Sequence, residues 1–221
     1  MANLLIRRLA AAGVILAFFV VGVGAYTRLA DAGLGCPDWP GCYGFLTVPE
    51  STIDVSNAEQ RFPEAPVEIE KAWWEMGHRY IAGALLALVL ATFLVAWRFR
   101  GQQTPTKLIT ALLIIILCQA AFGAWTVTLK LWPQVVTAHL LGGFTTLSLL
   151  WILLLKQGAF RFIHRGLPAP GRLAGLALVA VVLQITLGGW VSSNYAALAC
   201  PMFPSCDGSF TPDIDLIEGF N

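Results

Sequence analysis

Long apolar stretches alternate with short polar segments along the chain. Five stretches approach or exceed the roughly 20 apolar residues that a helix needs to cross a bilayer. The first covers residues 9–27. The second begins near Trp73 and is free of charge over 80–97. The third, fourth and fifth cover 108–129, 131–155 and 173–195. Only Lys130 separates the third stretch from the fourth, and Pro133 follows closely. The two together are too long for one span, so the pattern predicts a tight hairpin there.

Composition supports a membrane protein built from helices. Hydrophobic residues make up 57% of the 221 positions and charged residues only 12%, whereas soluble domains carry about 25% charged residues. The net charge is +1 and no basic stripe is present, which argues against a nucleic-acid partner. We therefore predict an all-α integral membrane protein.

The first apolar stretch could be a signal peptide, because Arg7 and Arg8 precede it. Its length exceeds the roughly 7–15 apolar residues of a signal sequence, and no Ala-x-Ala cleavage site follows, which favours a retained helix. Nine Lys and Arg residues fall on the N-terminal side of the membrane, and all 13 acidic residues fall on the other side or at its helix ends. The distribution of Lys and Arg predicts a cytoplasmic N-terminus, with segments 28–72 and 196–221 outside.

The sequence contains an internal repeat with a shift of 164 residues. "CPDWPGCYG" at 36–44 aligns without a gap with "CPMFPSCDG" at 200–208, and Gly24 aligns with Gly188. Repeats in membrane proteins usually indicate two pseudosymmetric halves. We expect residues 1–160 to form a four-helix transmembrane bundle. Residues 161–221 would supply the first helix of a second, truncated, pseudosymmetric bundle.

Two histidines are candidates for binding a cofactor within the membrane. His78 lies near the outer end of the second apolar helix and His139 near the outer end of the fourth. Both helices run inward from the outer face, so the imidazoles should lie at similar depth and face each other. Polar groups in membranes tend to mark function, and two facing imidazoles suit the axial ligation of heme iron. The alternative is that each histidine hydrogen-bonds a neighbouring helix; His164 is expected on the solvated inner loop.

Three charged residues lie close to this predicted site. Glu75 precedes His78 by three residues, which places both on one helical face. Its carboxylate could handle protons beside a porphyrin, or it could be an interfacial group in water, paired with Arg79. Arg79 and Arg28 could each pair with a heme propionate, or extend towards the membrane surface.

The cysteines form two pairs with the same spacing. Cys36 and Cys42 lie on the oxidising side of the membrane, as do Cys200 and Cys206. A structural disulfide in each pair and a redox-active disulfide both fit this spacing. Zinc would need about four ligands and the outer segments contain no histidine; the Cys-x-x-Cys-His motif of covalent heme is absent. Cys118 is expected to be a small buried apolar residue.

Taken together, "YTRLADAGLGCPDWPGCYG", "EMGHRYIAG", "TAHLLGG" and "LGGWVSSNYAALACPMFPSC" resemble the heme A synthase family along nearly the whole chain. The resemblance implies two four-helix halves, each with a histidine pair, and oxidation of the C8 methyl of heme O, through hydroxylated intermediates, to the formyl group of heme A. It implies that His78 and His139 bind the substrate heme, that Glu75 is the catalytic carboxylate, and that Cys36 and Cys42 take part in electron transfer.

The resemblance also sets expectations for the surroundings of the protein. A heme b cofactor is expected in the second half, whose histidine pair has no counterpart here, so we expect a fragment of a longer protein. Expected partners are membrane lipid, heme O, heme O synthase, an electron donor, and a second half or protomer. The expected location is the bacterial plasma membrane, or the mitochondrial inner membrane in a eukaryote. The alternative function is a heme-binding membrane protein without this reaction, such as a b-type electron carrier, a heme-handling protein or an inactive remnant.

Overall fold

The structure is a computed structural model that describes residues 2–100, 104–158, 171–196 and 205. In these ranges the chain is helical, and its only bridge of β type joins Cys42 and Phe45. The helices are α1 (Ala2–Leu29), α2 (Thr52–Arg61), α3 (Ile69–Arg98), α4 (Thr106–Thr128), α5 (Pro133–Lys156) and α6 (Arg172–Ser193). Among them, all except α2 are long and apolar enough to cross a membrane. The prediction of an all-α membrane protein is confirmed.

Four of the long helices form a bundle. α1 packs against α3 and α5, and α4 packs against the same two helices. α3 and α5 therefore face each other diagonally across the bundle. We call the end where α1 ends and α3 and α5 begin the loop end, because segment 30–68 covers it.

The predicted hairpin between the third and fourth spans is present. α4 ends at Thr128, and α5 begins with Pro133 in its first turn, where a helix tolerates the missing proline N–H. Lys130 and Leu131 both adopt positive φ, at 48° and 60°. The chain thus reverses within four residues, so α4 and α5 become antiparallel neighbours.

The transmembrane core is apolar and lies towards the end opposite the loops. It is formed by Ile6, Ala10, Ala17, Leu85, Val89, Ala96, Ile109, Leu112, Ile116, Leu150, Leu153 and Leu154. The expectation that Cys118 is buried is wrong, because its side chain is exposed. The buried face of α4 runs through Ile109, Leu112 and Ile116, and Cys118 falls outside that face, where a membrane would supply lipid.

α6 packs on the outside of the bundle against α5. Its contact depends on Gly189, where an added Cβ would lie 2.9 Å from a methyl of Leu140. Just after α6, Tyr195 has φ 54°; just after α1, the residue 164 positions earlier, Asp31, has φ 51°. The repeat that the sequence predicts is thus visible in the backbone, since both helices end in the same left-handed turn.

Segment 30–68 folds over the loop end as a small domain with its own core. Its buried residues are Cys36, Cys42, Tyr43, Val48 and Ala58, which pack with Ala72 and Met76 of α3. Helix α2, which the hydrophobic pattern did not predict, belongs to this domain. The Ser51 hydroxyl accepts a hydrogen bond from the Asp54 N–H at 3.0 Å and so caps its N-terminus.

Candidate heme-binding site and the disulfide-closed loop

His78 lies inside the bundle in the third turn of α3, facing α1. An added Cβ on Gly24 of α1 would lie 2.7 Å from Cε1 of the imidazole, 3.2 Å from Nε2 and 3.3 Å from Nδ1. Only glycine leaves room for the ring at this position. The Nδ1 atom of His78 is buried and has no hydrogen-bond partner among the described residues.

His139 occupies the corresponding place on α5, two turns from its start. Its ring lies beside Gly123 of α4, where an added Cβ would be 3.4 Å from Cε1. Its Nδ1 is likewise buried and unpartnered within the described part of the chain. Each imidazole thus rests against a glycine of a neighbouring helix and interacts with a backbone group of the same helix, Val20 for His78 and Gln119 for His139, while its Nδ1 has no partner among the described residues.

The two imidazoles belong to the diagonal helices α3 and α5, and each lies near the start of its helix, at the loop end of the bundle. That they face each other as a pair stays a prediction. Among the described residues there is no cluster of three or more His, Cys, Asp and Glu side chains that could hold a bare metal ion. A porphyrin supplies four nitrogens to its iron and asks the protein only for axial ligands. The buried imidazole nitrogens without a partner among the described residues therefore fit a heme.

Glu75 is buried at the loop end of α3, one turn before His78. Its Oε2 accepts a hydrogen bond from the backbone N–H of Cys36 at 2.9 Å, and its Oε1 is paired with the guanidinium of Arg79. The side chain is 5% exposed. The interpretation of Glu75 as a water-exposed interfacial group is therefore wrong, because the loop covers it.

Arg79 lies between Glu75 and the loop. Besides its ion pair with Glu75, the same guanidinium donates to the carbonyl oxygens of Gly41 and, at 3.4 Å, of Pro40. Glu75 thus receives the N–H of the first cysteine, while Arg79 binds the carbonyl that directly precedes the second. The predicted pairing of Arg79 with a heme propionate remains a prediction.

The loop between the cysteines is closed by a disulfide between Cys36 and Cys42, with both residues fully buried. The carboxylate of Asp38 accepts the backbone N–H groups of Tyr43 at 2.6 Å and Gly44 at 2.8 Å, which braces the loop from inside. The Tyr43 hydroxyl donates to the carbonyl of Pro66 at 2.9 Å. Burial, followed by nearby carboxylates, raises the pKa of Tyr43 to about 12.

The loop approaches α3 closely because residue 35 is glycine. A Cβ there would lie 2.6 Å from the backbone carbonyl carbon and oxygen of Lys71. This approach brings the Cys36 N–H within reach of Glu75. The second glycine of "GLGC" therefore permits the contact between the loop and α3, whereas the first, Gly33, lies against Leu131.

Arg28 is directed to the second repeat. Its guanidinium donates to the backbone carbonyl of Ser192, lies 3.8 Å from the carboxylate of Asp31 and stacks 4.0 Å from the ring centre of Tyr195. Its predicted role at a heme propionate is not tested by these contacts.

Sequence reasoning missed three contributors to the site. The repeat singled out Gly24, but not its contact with His78. Asp38 lies inside the cysteine motif and has no signal beyond its position between two prolines. The link between Glu75 and Cys36 joins residues 39 positions apart, and no local pattern reports such a contact. His164 and the pair Cys200 and Cys206 lie outside the described residues.

Comparison with known proteins gives a consistent family. Residues 7–221 match the family described as cytochrome oxidase assembly protein, COX15-CtaA. The chain is 48% identical over 205 residues to a heme A synthase of Shewanella oneidensis, covering 91% of this chain and 61% of the relative. It is 31% identical to a heme A synthase of Mesorhizobium japonicum, covering 91% of this chain and 60% of the relative. A third heme A synthase, from Halalkalibacterium halodurans, is 27% identical, with 86% of this chain and 60% of the relative covered. No solved structure matches the chain.

Proposed function

Because the chain belongs to the COX15-CtaA family of cytochrome oxidase assembly proteins, we propose that it carries the heme O site of a heme A synthase. The chain spans about 60% of the length of the curated relatives it matches. The proposed reaction is the oxidation of the C8 methyl of heme O to the formyl group of heme A. The observation that carries the proposal is the pair of imidazoles on α3 and α5, each with a buried Nδ1 that has no hydrogen-bond partner among the described residues, together with the buried carboxylate of Glu75 one turn from His78.

His78 and His139 would hold the heme between the diagonal helices α3 and α5. The heme iron supplies the oxidising chemistry when it is bound. The protein contributes the imidazoles and the glycines, Gly24 and Gly123, that make room for their rings. Apolar α1 and α4 separate the interior of the bundle from lipid.

Glu75 would be the acid–base group of the reaction. Its carboxylate is fixed by the Cys36 N–H and the Arg79 guanidinium, so it is held in one place when substrate binds. A fixed carboxylate can receive a proton from a substrate hydroxyl without the cost of reorienting. The loop that fixes it also excludes bulk water from this end of the bundle.

The finer organisation is part of the same proposal. Residues 1–160 form the half that binds heme O, and residues 161–221 begin a second half, for which a heme b cofactor is proposed. Heme O, membrane lipid, heme O synthase, an electron donor and a second half or protomer are the proposed partners. The proposed location is a bacterial plasma membrane, or the mitochondrial inner membrane in a eukaryote.

The heme ligands are tested by absorption spectroscopy. The chain is produced in cells that make heme O, and spectra of the purified protein are compared with those of His78→Ala and His139→Ala. We expect each substitution to remove or shift the bands of the ligated heme. His164→Ala is the control and should leave the spectrum unchanged. An unaltered spectrum in the double variant would overturn the assignment of the ligands.

Gly24 offers a second test of the same site with a matched control. Gly24→Ala places a methyl against His78, whereas Gly22→Ala meets no atom within 4 Å. We expect Gly24→Ala to perturb the heme spectrum and Gly22→Ala to leave it intact. Equal spectra in the two variants would argue against a heme held by His78.

The reaction is tested by extracting hemes from the membranes and separating heme O from heme A. We expect Glu75→Ala to abolish conversion while the heme spectrum persists, and Glu75→Asp to retain part of it. Conversion that continues unchanged in Glu75→Ala would remove the catalytic assignment. Heme binding without any conversion by the parent chain would favour the alternative, a heme-binding membrane protein without this reaction.

A further inference from the structure

The depth of the cysteine loop relative to the membrane can be deduced from α3. The charge-free stretch of this helix starts at Tyr80 and ends at Trp97. At 1.5 Å per residue these 18 residues extend about 26 Å, close to the roughly 30 Å of the hydrocarbon core. Arg79 and Tyr80 therefore mark the boundary between acyl chains and headgroups at the loop end.

The loop is tied to this boundary at two points. The Arg79 guanidinium donates to the carbonyl groups of Gly41 and Pro40. The Tyr80 hydroxyl donates to the carbonyl of Leu46 at 3.1 Å. Segment 39–46 thus lies beside α3 at the level where its apolar surface begins.

Large apolar side chains of this segment point away from the protein. Leu46 is 89% exposed, and Trp39 is 46% exposed. Tyr43 and Val48 of the same loop are buried instead, so the exposure of Leu46 is not general to the loop. An aromatic residue such as Trp39 is typical of the membrane interface.

This part of the loop carries no charged side chain of its own. Segment 39–46 contains no charged residue. The nearest carboxylate is that of Asp38, and its two oxygens accept hydrogen bonds from the backbone N–H groups of Tyr43 and Gly44. The segment itself therefore brings no charge to the interface, where an uncharged surface enters at less cost than a charged one; the guanidinium of Arg61 lies on it, 5.7 Å from the ring centre of Phe45.

We propose that segment 39–46 is a lipid-contacting wedge, which inserts Leu46 and Trp39 between the phospholipids next to α3. The wedge holds the disulfide-closed loop against the membrane surface. Its partner is the boundary region of a phospholipid bilayer. The proposal does not depend on the reaction proposed above, since it rests on depth, exposure and charge alone.

The test is photo-crosslinking in a bilayer. Benzoylphenylalanine is placed at position 46 of the full chain in phosphatidylcholine nanodiscs, and illuminated protein is analysed by mass spectrometry. Position 90 is the positive control, because Leu90 is exposed in the middle of α3. Position 53 is the negative control, because Ile53 is 72% exposed on the polar helix α2.

We expect the yield of lipid adduct at position 46 to approach that at position 90 and to exceed that at position 53 several-fold. A yield no higher than at position 53 would overturn the proposal, as would a cross-link to protein in place of lipid. If the probe at 46 prevents folding, the same comparison is made with the probe at Trp39. Disulfide formation between Cys36 and Cys42 reports whether each variant is folded.

Discussion

Glu75 and Arg79 hold the two ends of the cysteine loop by opposite kinds of backbone group. The carboxylate takes an N–H group at Cys36, and the guanidinium takes a carbonyl at Gly41. The ion pair between them fixes the positions of both side chains. A substitution at either residue therefore leaves the other with an unpaired charge in a buried place.

Glu75→Ala should destabilise the protein by about 3 kcal/mol or more, because it removes the partner of the Arg79 charge and the acceptor of the Cys36 N–H. Glu75→Gln keeps an acceptor for that N–H and should lose roughly half as much. Unfolding in mixed micelles measures both. Glu68→Gln is the control, since its partner Lys71 and its own side chain are exposed, and it should change stability by less than about 1 kcal/mol. Equal losses at the two positions would contradict the argument.

Tyr43 should make the loop sensitive to alkaline pH. Its pKa is raised by burial to about 12, against about 10 in an unfolded chain. The folded state thus holds its proton more tightly, so this contribution to stability is complete below about pH 10 and is lost as pH rises towards 12. Absorbance of phenolate shows the late titration, and Tyr43→Phe should abolish it. Tyr26→Phe serves as the control, and a late titration that survives Tyr43→Phe would refute the assignment.

At the scale of elements, hydrophobic periodicity and length were enough to predict the long helices. Five apolar stretches became five long helices, and Lys130 with Pro133 marked the hairpin. The short helix α2 was missed because its sequence, from Thr52 to Arg61, is polar and buries only Ala58. The docking of the loop on α3 was missed because it depends on Gly35 and Glu75, which are far apart in sequence. The exposure of Cys118 was mispredicted because tertiary packing decides which side of α4 is buried.

The disulfide is expected to stabilise the loop domain as an element. Closing a loop of this size contributes about 2 kcal/mol in the chain-entropy description. Replacing Cys36 and Cys42 by alanine should lower the free energy of unfolding by that amount and increase hydrogen exchange in segment 30–68. Cys118→Ala removes a thiol on the exposed side of α4 and should change stability by less than about 0.5 kcal/mol. An unchanged exchange pattern in the double variant would show that Glu75 and Arg79 suffice to hold the loop.

At the scale of the whole molecule, α6 is attached to α5 through only one of two adjacent glycines. Gly189 faces Leu140 and Thr137 of α5, whereas an added Cβ on Gly188 meets nothing within 4 Å. The described part of α6 is otherwise largely exposed, and further contacts lie near its end, where Arg28 binds Ser192 and Tyr195 binds Asp31.

Gly189→Val should displace α6 from α5 at a cost of about 1–3 kcal/mol, because the added methyls overlap Leu140. Gly188→Val adds the same atoms in open space and should be nearly neutral. A spin-label pair on α5 and α6 measures the separation of the helices. Separations that change equally in the two variants would show that α6 is not seated through Gly189.

The contacts of Arg28 with Ser192 and of Asp31 with Tyr195 each join residues 164 positions apart, the same interval as the repeat. When a position meets its own equivalent, both lie at a symmetry axis, as at the centre of an isologous dimer. The ends of α1 and α6 therefore mark a local two-fold axis. In the repeat, the position equivalent to Gly189 is Ala25, 164 residues earlier. Gly189 packs against α5, whereas Ala25 is exposed on α1. The exposed side of Ala25 is thus where a helix equivalent to α5 would pack.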